Sequence, residues 1–132
     1  KMKRLKDIKF RVDLTEAIHG KDQNYDTSYF ELFLLALNTQ SSQEGQGGIS
    51  PLDMEVRLVI IGKIKSAQKN DAGNIILENS ELKDLTKLVK RQKFAHVDQN
   101  FLDYRKYVVK RESDEPDKDT NESKKGKTEN KT

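Results

Sequence analysis

From Arg111 to Thr132 the chain reads RESDEPDKDTNESKKGKTENKT and contains no Val, Ile, Leu, Met, Phe, Trp or Tyr. A segment without apolar side chains cannot offset the entropy of ordering its own backbone, so any core must come from what precedes it. The expectation is one globular domain over residues 1–110 and a disordered charged tail over residues 111–132, because about 100 residues suit a single hydrophobic core. The whole chain is 33% hydrophobic and 36% charged, against averages of about 45–50% and about 25% for globular proteins. Much of that shortfall sits in the tail.

Charge is divided in the same way. The tail holds six basic residues and seven acidic ones, a balance of −1, so the net +3 of the full chain leaves +4 on the body. That surplus is modest for a dedicated nucleic-acid binder, which concentrates cations on one face. Cysteine is absent, which excludes disulfides, thiolate metal sites and cysteine nucleophiles. No run approaches the roughly 20 apolar residues needed to cross a bilayer, and the opening KMKRLKDIKF lacks the apolar stretch of a secretory signal. These features point to a soluble, cytoplasmic protein without membrane contact.

Periodicity predicts a mostly helical α+β fold: a small two-stranded β element with about four helices around one core. Ile8, Phe10, Val12 and Leu14 alternate with Lys9, Arg11 and Asp13, the pattern of a half-buried strand. HGKDQNYD reads as a polar turn. In SYFELFLLALNTQ, Ser28 stands three residues before Glu31, a capping arrangement that starts a helix; its apolar residues run nearly all round, which places it at the centre of the fold. Residues 40–48 form a Gly/Ser-rich connector. Ser50 and Pro51 then open a second helix with Leu52, Val56, Val59, Ile60, Ile64 and Ala67 at helical spacing as its inner face. NIIL is a short strand expected to pair with residues 8–14. A third helix starts at Ser80, with Leu82, Leu85, Leu88 and Val89 inward, and a fourth starts from a cap at Asp98.

On the third helix Lys83, Lys87, Lys90 and Arg91 recur at steps of four, three and one, so they share the side opposite the leucines, with Lys93 just beyond. They are the candidate contacts for phosphate or for a protein partner. A helix buried on one side must be polar on the other, and lysine suits that side without any further role. The ridge offers a single arginine and no Asn or Gln at matching positions, so it is poorly equipped to read bases. A second basic cluster, Lys1, Lys3, Arg4, Lys6, Lys9 and Arg11, would extend a phosphate-binding face if it lay alongside. Tyr25, Tyr29, Phe30 and Phe33 have the spacing of core residues rather than of a base-stacking platform. Tyr104 and Tyr107 are candidate aromatic anchors for a partner.

His19 and His96 have no second histidine at metal-ligand spacing. Acidic clusters such as Asp53 with Glu55, or Glu78 with Glu81 and Asp84, fall in helix first turns, where the helix field favours them. No glycine stretch has phosphate-loop spacing and no serine lies in a nucleophile-elbow setting. Neither a catalytic site, a metal nor a cofactor is therefore expected.

The succession DIKFRVDLTEAI, YFELFLLALN, SPLDMEVRLVIIGKIKSA, NIIL, SELKDLTKLVKRQKF and VDQNFLDYRKYV is similar to small accessory proteins of tailed bacteriophages and prophages. The likeness spans residues 7–110 and rests on the order of elements, with no residue-specific motif. It implies a helical accessory protein inside a bacterial host cell or a virion that binds another macromolecule; the leading expectation is a non-enzymatic protein that binds a protein partner through a helical face. Homo-oligomers are compatible with that expectation. The alternative is a nucleic-acid-binding protein that uses the basic ridge and the basic N-terminus on phosphates.

Overall fold

A computed structural model describes residues 2–14, 24–39 and 48–114. The described elements are β1 (Met2–Lys6), β2 (Lys9–Val12), β3 (Tyr25–Ser28), α1 (Tyr29–Thr39), α2 (Pro51–Lys69), β4 (Asn74–Glu78), α3 (Asn79–Arg91) and α4 (Gln99–Ser113). Four helices and two short antiparallel ladders thus share one continuous apolar cluster. This is the mostly helical α+β class that the periodicity predicts.

Helix α1 occupies the centre. Ser28 Oγ accepts from the Glu31 amide (3.3 Å) and Asp7 Oδ1 accepts from the Phe30 amide (3.0 Å), so two side chains satisfy its first turn. Tyr29, Phe30, Leu32, Phe33, Ala36 and Leu37 are buried, against α2 on one side and α3 on the other. Its nearly all-round apolarity is the consequence of having neighbours on both sides.

The strand pairing differs from expectation. β4 pairs with β1, placing Leu5 opposite Ile75 and Lys3 opposite Leu77, whereas β2 pairs with β3. Of the alternating stretch only Lys9–Val12 forms strand: Ile8 lies between β1 and β2 and is 40% exposed, while Val12 and Leu14 are buried. β3 lies at the end of the segment read as a polar turn. Its residues Tyr25, Asp26 and Thr27 carry little apolar alternation because their main contribution is backbone pairing with β2.

Helix α4 closes the second edge of β1. Tyr107 Oη accepts from the Lys6 amide (2.8 Å), Arg111 Nε donates to the Arg4 carbonyl (3.0 Å), and Lys3 Nζ donates to the Glu112 carbonyl (2.6 Å). An edge strand whose free groups are met in this way cannot recruit another strand there. These bonds also correct the start of the tail: residues 111–113 belong to α4, because Arg111 and Glu112 are tied to the strand even though neither is apolar. The rest of the expected disordered tail, residues 115–132, lies outside the described residues, as do His19 and Lys1.

Helix α2 buries Ile60, Ile64 and Ala67 as its spacing suggests, with Val56 half-buried, but is turned so that the rest of the expected face is not covered. Ser50 Oγ accepts from the Asp53 amide (3.2 Å), with Pro51 at the first helical position as expected. Arg57, Ile60, Ile61, Ile64 and Ala67 are buried, but Leu52 and Val59 are 74% and 52% exposed. The helix is rotated by Arg57, whose Nη1 donates to the Leu37 carbonyl in the last turn of α1 (3.1 Å) and whose Nη2 meets Asp53 (3.1 Å). A guanidinium at the negative end of a neighbouring helix satisfies a carbonyl that has run out of helix.

Candidate protein-binding surface

Helix α3 follows β4 without a loop, so its cap is Glu78 rather than Ser80; the Glu78 amide donates to Glu81 Oε1 (2.9 Å). The same carboxylate receives Lys63 Nζ from α2 (2.7 Å), pinning the two helices together. Leu82, Leu85, Leu88 and Val89 are all buried, and Lys83, Lys87 and Lys90 are exposed on the other side. The orientation read from the leucine spacing is the one adopted.

The candidate contacts border different grooves. Lys87 and Arg91 border a groove of about 380 Å³ against α1 and α2, whose walls include Asp53 and Asp84. Lys90 and Lys93 border another groove, of about 560 Å³, between the end of α3 and the start of α4. Lys83 borders neither. The second basic cluster is also partly engaged: Lys3 is buried, and Arg11 pairs with Asp26 (3.1 Å).

The α3–α4 groove is built on a fixed loop. Gln92, the first residue after α3, donates through Nε2 to the Leu32 carbonyl of α1 (3.0 Å) and accepts at Oε1 from Tyr104 Oη of α4 (2.7 Å). Phe94 stacks on Phe101 with centroids 4.3 Å apart and planes inclined by 8°, and it meets Tyr104 edge-on. At the start of α4, Asp98 Oδ1 accepts from the Asn100 amide (2.8 Å). Between these anchors the chain turns Val97 fully outward, beside Leu102, which is 54% exposed. Lys90, Lys93 and Arg105 surround the two apolar side chains, and none of the three has an ion-pair partner among the described residues.

Tyr104 is not a surface anchor. Its ring is fully buried between Tyr29, Phe33 and Phe94, and its phenol is used on Gln92. Burial pushes that phenol well above the usual tyrosine range, with the neighbouring Tyr29 adding to the effect. Tyr107 is half-buried against Tyr29 and holds the β1 edge through its hydroxyl. Tyr25 is displaced upward too, first by burial and then by the Asp98 carboxylate. A tyrosine kept neutral further into alkali serves packing and hydrogen bonding rather than proton abstraction near neutrality.

Sequence reasoning missed Val97, Leu102 and Arg105. Val97 follows a helix end and precedes a cap, a position with no periodicity to reveal which way it faces. Leu102 carries helical spacing that would suit either side of α4. Among the described residues no group of three or more His, Asp or Glu is arranged to hold a metal ion, and no helix is long and apolar enough to cross a membrane. Compared with known proteins, the chain matches no family model, no curated protein and no solved structure.

Proposed function

We propose that the chain is a non-enzymatic accessory protein, of the kind that tailed phages and prophages carry inside the bacterial cell or in the virion. It binds a protein partner at the α3–α4 groove, and the matching partner chemistry is an acidic amphipathic segment. The observation that carries this reading is the juxtaposition of Val97 and Leu102 with three uncommitted cations, Lys90, Lys93 and Arg105, on a loop held by Gln92. Removing Val97 and Leu102 from water favours an apolar partner surface, while the cations select one with carboxylates around it. Because Gln92 and the Phe94–Phe101 stack already fix the loop, little ordering entropy is lost on binding.

A phosphate backbone would satisfy the cations but gain nothing from the two apolar side chains between them. The groove that Lys87 and Arg91 border is also walled by Asp53 and Asp84, carboxylates that repel a phosphate backbone.

The test uses a synthetic helical peptide with leucines at helical spacing and glutamates along both flanks, titrated against the full chain. Binding should weaken by at least about tenfold for Lys93→Glu with Arg105→Glu, and similarly for Leu102→Asp, each change removing more than about 1.4 kcal/mol. Unaltered peptide binding in both variants would refute the proposal. Tight, steeply salt-dependent DNA binding abolished by Lys87→Glu, Lys90→Glu and Arg91→Glu together would establish the nucleic-acid alternative instead.

A further inference from the structure

The outward face of α2 is apolar at one end and cationic at the other. Leu52, Met54, Leu58 and Val59 are 74, 48, 63 and 52% exposed, and Glu55, Gly62, Lys65, Ser66 and Lys69 complete the exposed arc. Residues 55, 58, 62 and 65 follow one another at steps of three, four and three, which aligns them as a stripe along the helix. Glycine is intrinsically unfavourable in a helix interior, and a Cβ placed on Gly62 would meet nothing within 4 Å. Nothing described within the chain therefore calls for glycine at that position. Its use is on the outside, where a missing side chain lets another helix approach closely.

The charges on the stripe are arranged to suit a copy of itself. Glu55 lies toward the N-terminal end of α2, and Lys65 and Lys69 toward the C-terminal end. None of the three has an ion-pair or hydrogen-bond partner through its side chain among the described residues. In a parallel pair of α2 helices, like charges would face each other. In an antiparallel pair, opposite charges would.

We propose that the protein self-associates through α2, as an antiparallel pair of copies related by a twofold axis that crosses the outer face of the helix at the level of residue 60. Leu58 of each copy seats over Gly62 of the other, and Glu55 of each lies beside Lys65 and Lys69 of the other. Positions 58 and 62, and positions 55 and 65, share residue 60 as their midpoint, so one register satisfies the apolar contact and the Glu55–Lys65 contact together, with Lys69 one turn further along. The contact is isologous, so it closes at two copies. Helical side chains lean toward their own N-terminus, which in this arrangement tilts Lys69 of one copy toward Glu55 of the other. The surface lies on a different helix from the α3–α4 groove and is independent of whether that groove binds a partner.

Sedimentation velocity on the full chain, from about 1 μM to about 1 mM, spans the range in which a single-helix contact of this kind should populate dimers. The expected result is a monomer–dimer equilibrium that weakens several-fold as salt rises. Glu55→Lys alone and Lys65→Glu with Lys69→Glu should each leave monomers. An equimolar mixture of those two variants should form a dimer, because both charge contacts are restored in the mixed pair. Gly62→Gln should abolish association while leaving the thermal midpoint unchanged or higher, which separates lost contact from lost folding. A chain that remains monomeric throughout would overturn the proposal, as would a dimer that survives Gly62→Gln and ignores the charge exchanges. Capture of an unrelated helix by α2 without self-association would overturn it too.

Discussion

Replacing Arg57 measures what orients α2. The side chain is 4% exposed, its Nη1 is 3.1 Å from the Leu37 carbonyl, its Nη2 is 3.1 Å from Asp53, and its Nε is buried with no hydrogen-bond partner among the described residues. Truncation to alanine removes a charge-assisted bond worth about 1.5–3 kcal/mol and about two to three buried methylenes at roughly 0.8 kcal/mol each. Against this, relief of the desolvated guanidinium and its orphaned Nε returns about 1–3 kcal/mol. The net expectation for Arg57→Ala is a loss of about 2–3 kcal/mol. Arg57→Met keeps most of the apolar stem and sheds the same desolvation, so its loss should be about 1 kcal/mol or less. Urea unfolding followed by circular dichroism at 222 nm should separate the two, since with a slope of about 1–1.5 kcal/mol/M the alanine midpoint falls by about 2 M. If methionine cost as much as alanine, the stem would not be packed as described. If alanine cost less than about 0.5 kcal/mol, the level of an ordinary surface change, Arg57 would not hold α2 against the end of α1.

Two further outcomes test the core and one helix end. Tyr104 is neutral in both folded and unfolded chains below its ordinary value of 10.0 and holds its proton longer when folded, so the unfolded state binds fewer protons above that pH and stability falls as pH rises. Urea unfolding at pH 8 and at about pH 11 should show that loss; Tyr104→Phe should reduce the pH dependence and, by breaking the bond to Gln92, cost about 1 kcal/mol at pH 8. A variant with the wild-type alkaline slope would show that Tyr104 is not the responsible group. At the end of α2, Asp71 adopts φ 56°, while the Ala72 amide donates to the Ala67 carbonyl and the Asp71 amide to the Gln68 carbonyl. That is the left-handed helix end favoured by glycine, so Asp71→Gly should raise stability by about 0.5–1 kcal/mol in the same assay, and a decrease would contradict it.

Much of the helical frame was legible because its signals are local. Ser28, Ser50 with Pro51, and Asp98 each open the helix expected of them, since a cap satisfies amides within its own first turn. The inward side of α3 could be read from Leu82, Leu85, Leu88 and Val89 because every other residue of that helix is polar or charged, and of those only Thr86 is buried. Thr86 is buried by turning its hydroxyl onto the Leu82 carbonyl (2.7 Å). Where apolar residues stand on two faces, periodicity gives two answers, and α2 chose the one that buries Ile61 and Arg57 over Leu52 and Val59.

The tertiary structure decided whatever depends on partners distant in the chain. That β1 rather than β2 receives β4, and that Arg111 and Glu112 belong to a helix rather than a tail, follow from hydrogen bonds spanning about the whole body, which no local pattern records. It also sorted the lysines of α3 between two grooves and brought Val97, Leu102 and Arg105 to one of them. The sequence by itself determined which segments form helices and which side of α3 faces inward, because propensity, capping and hydrophobic spacing act within a few residues. Sheet pairing, helix rotation and the composition of the surface depend on which neighbour satisfies a carbonyl or covers an apolar face, and that choice exists only once the chain is packed.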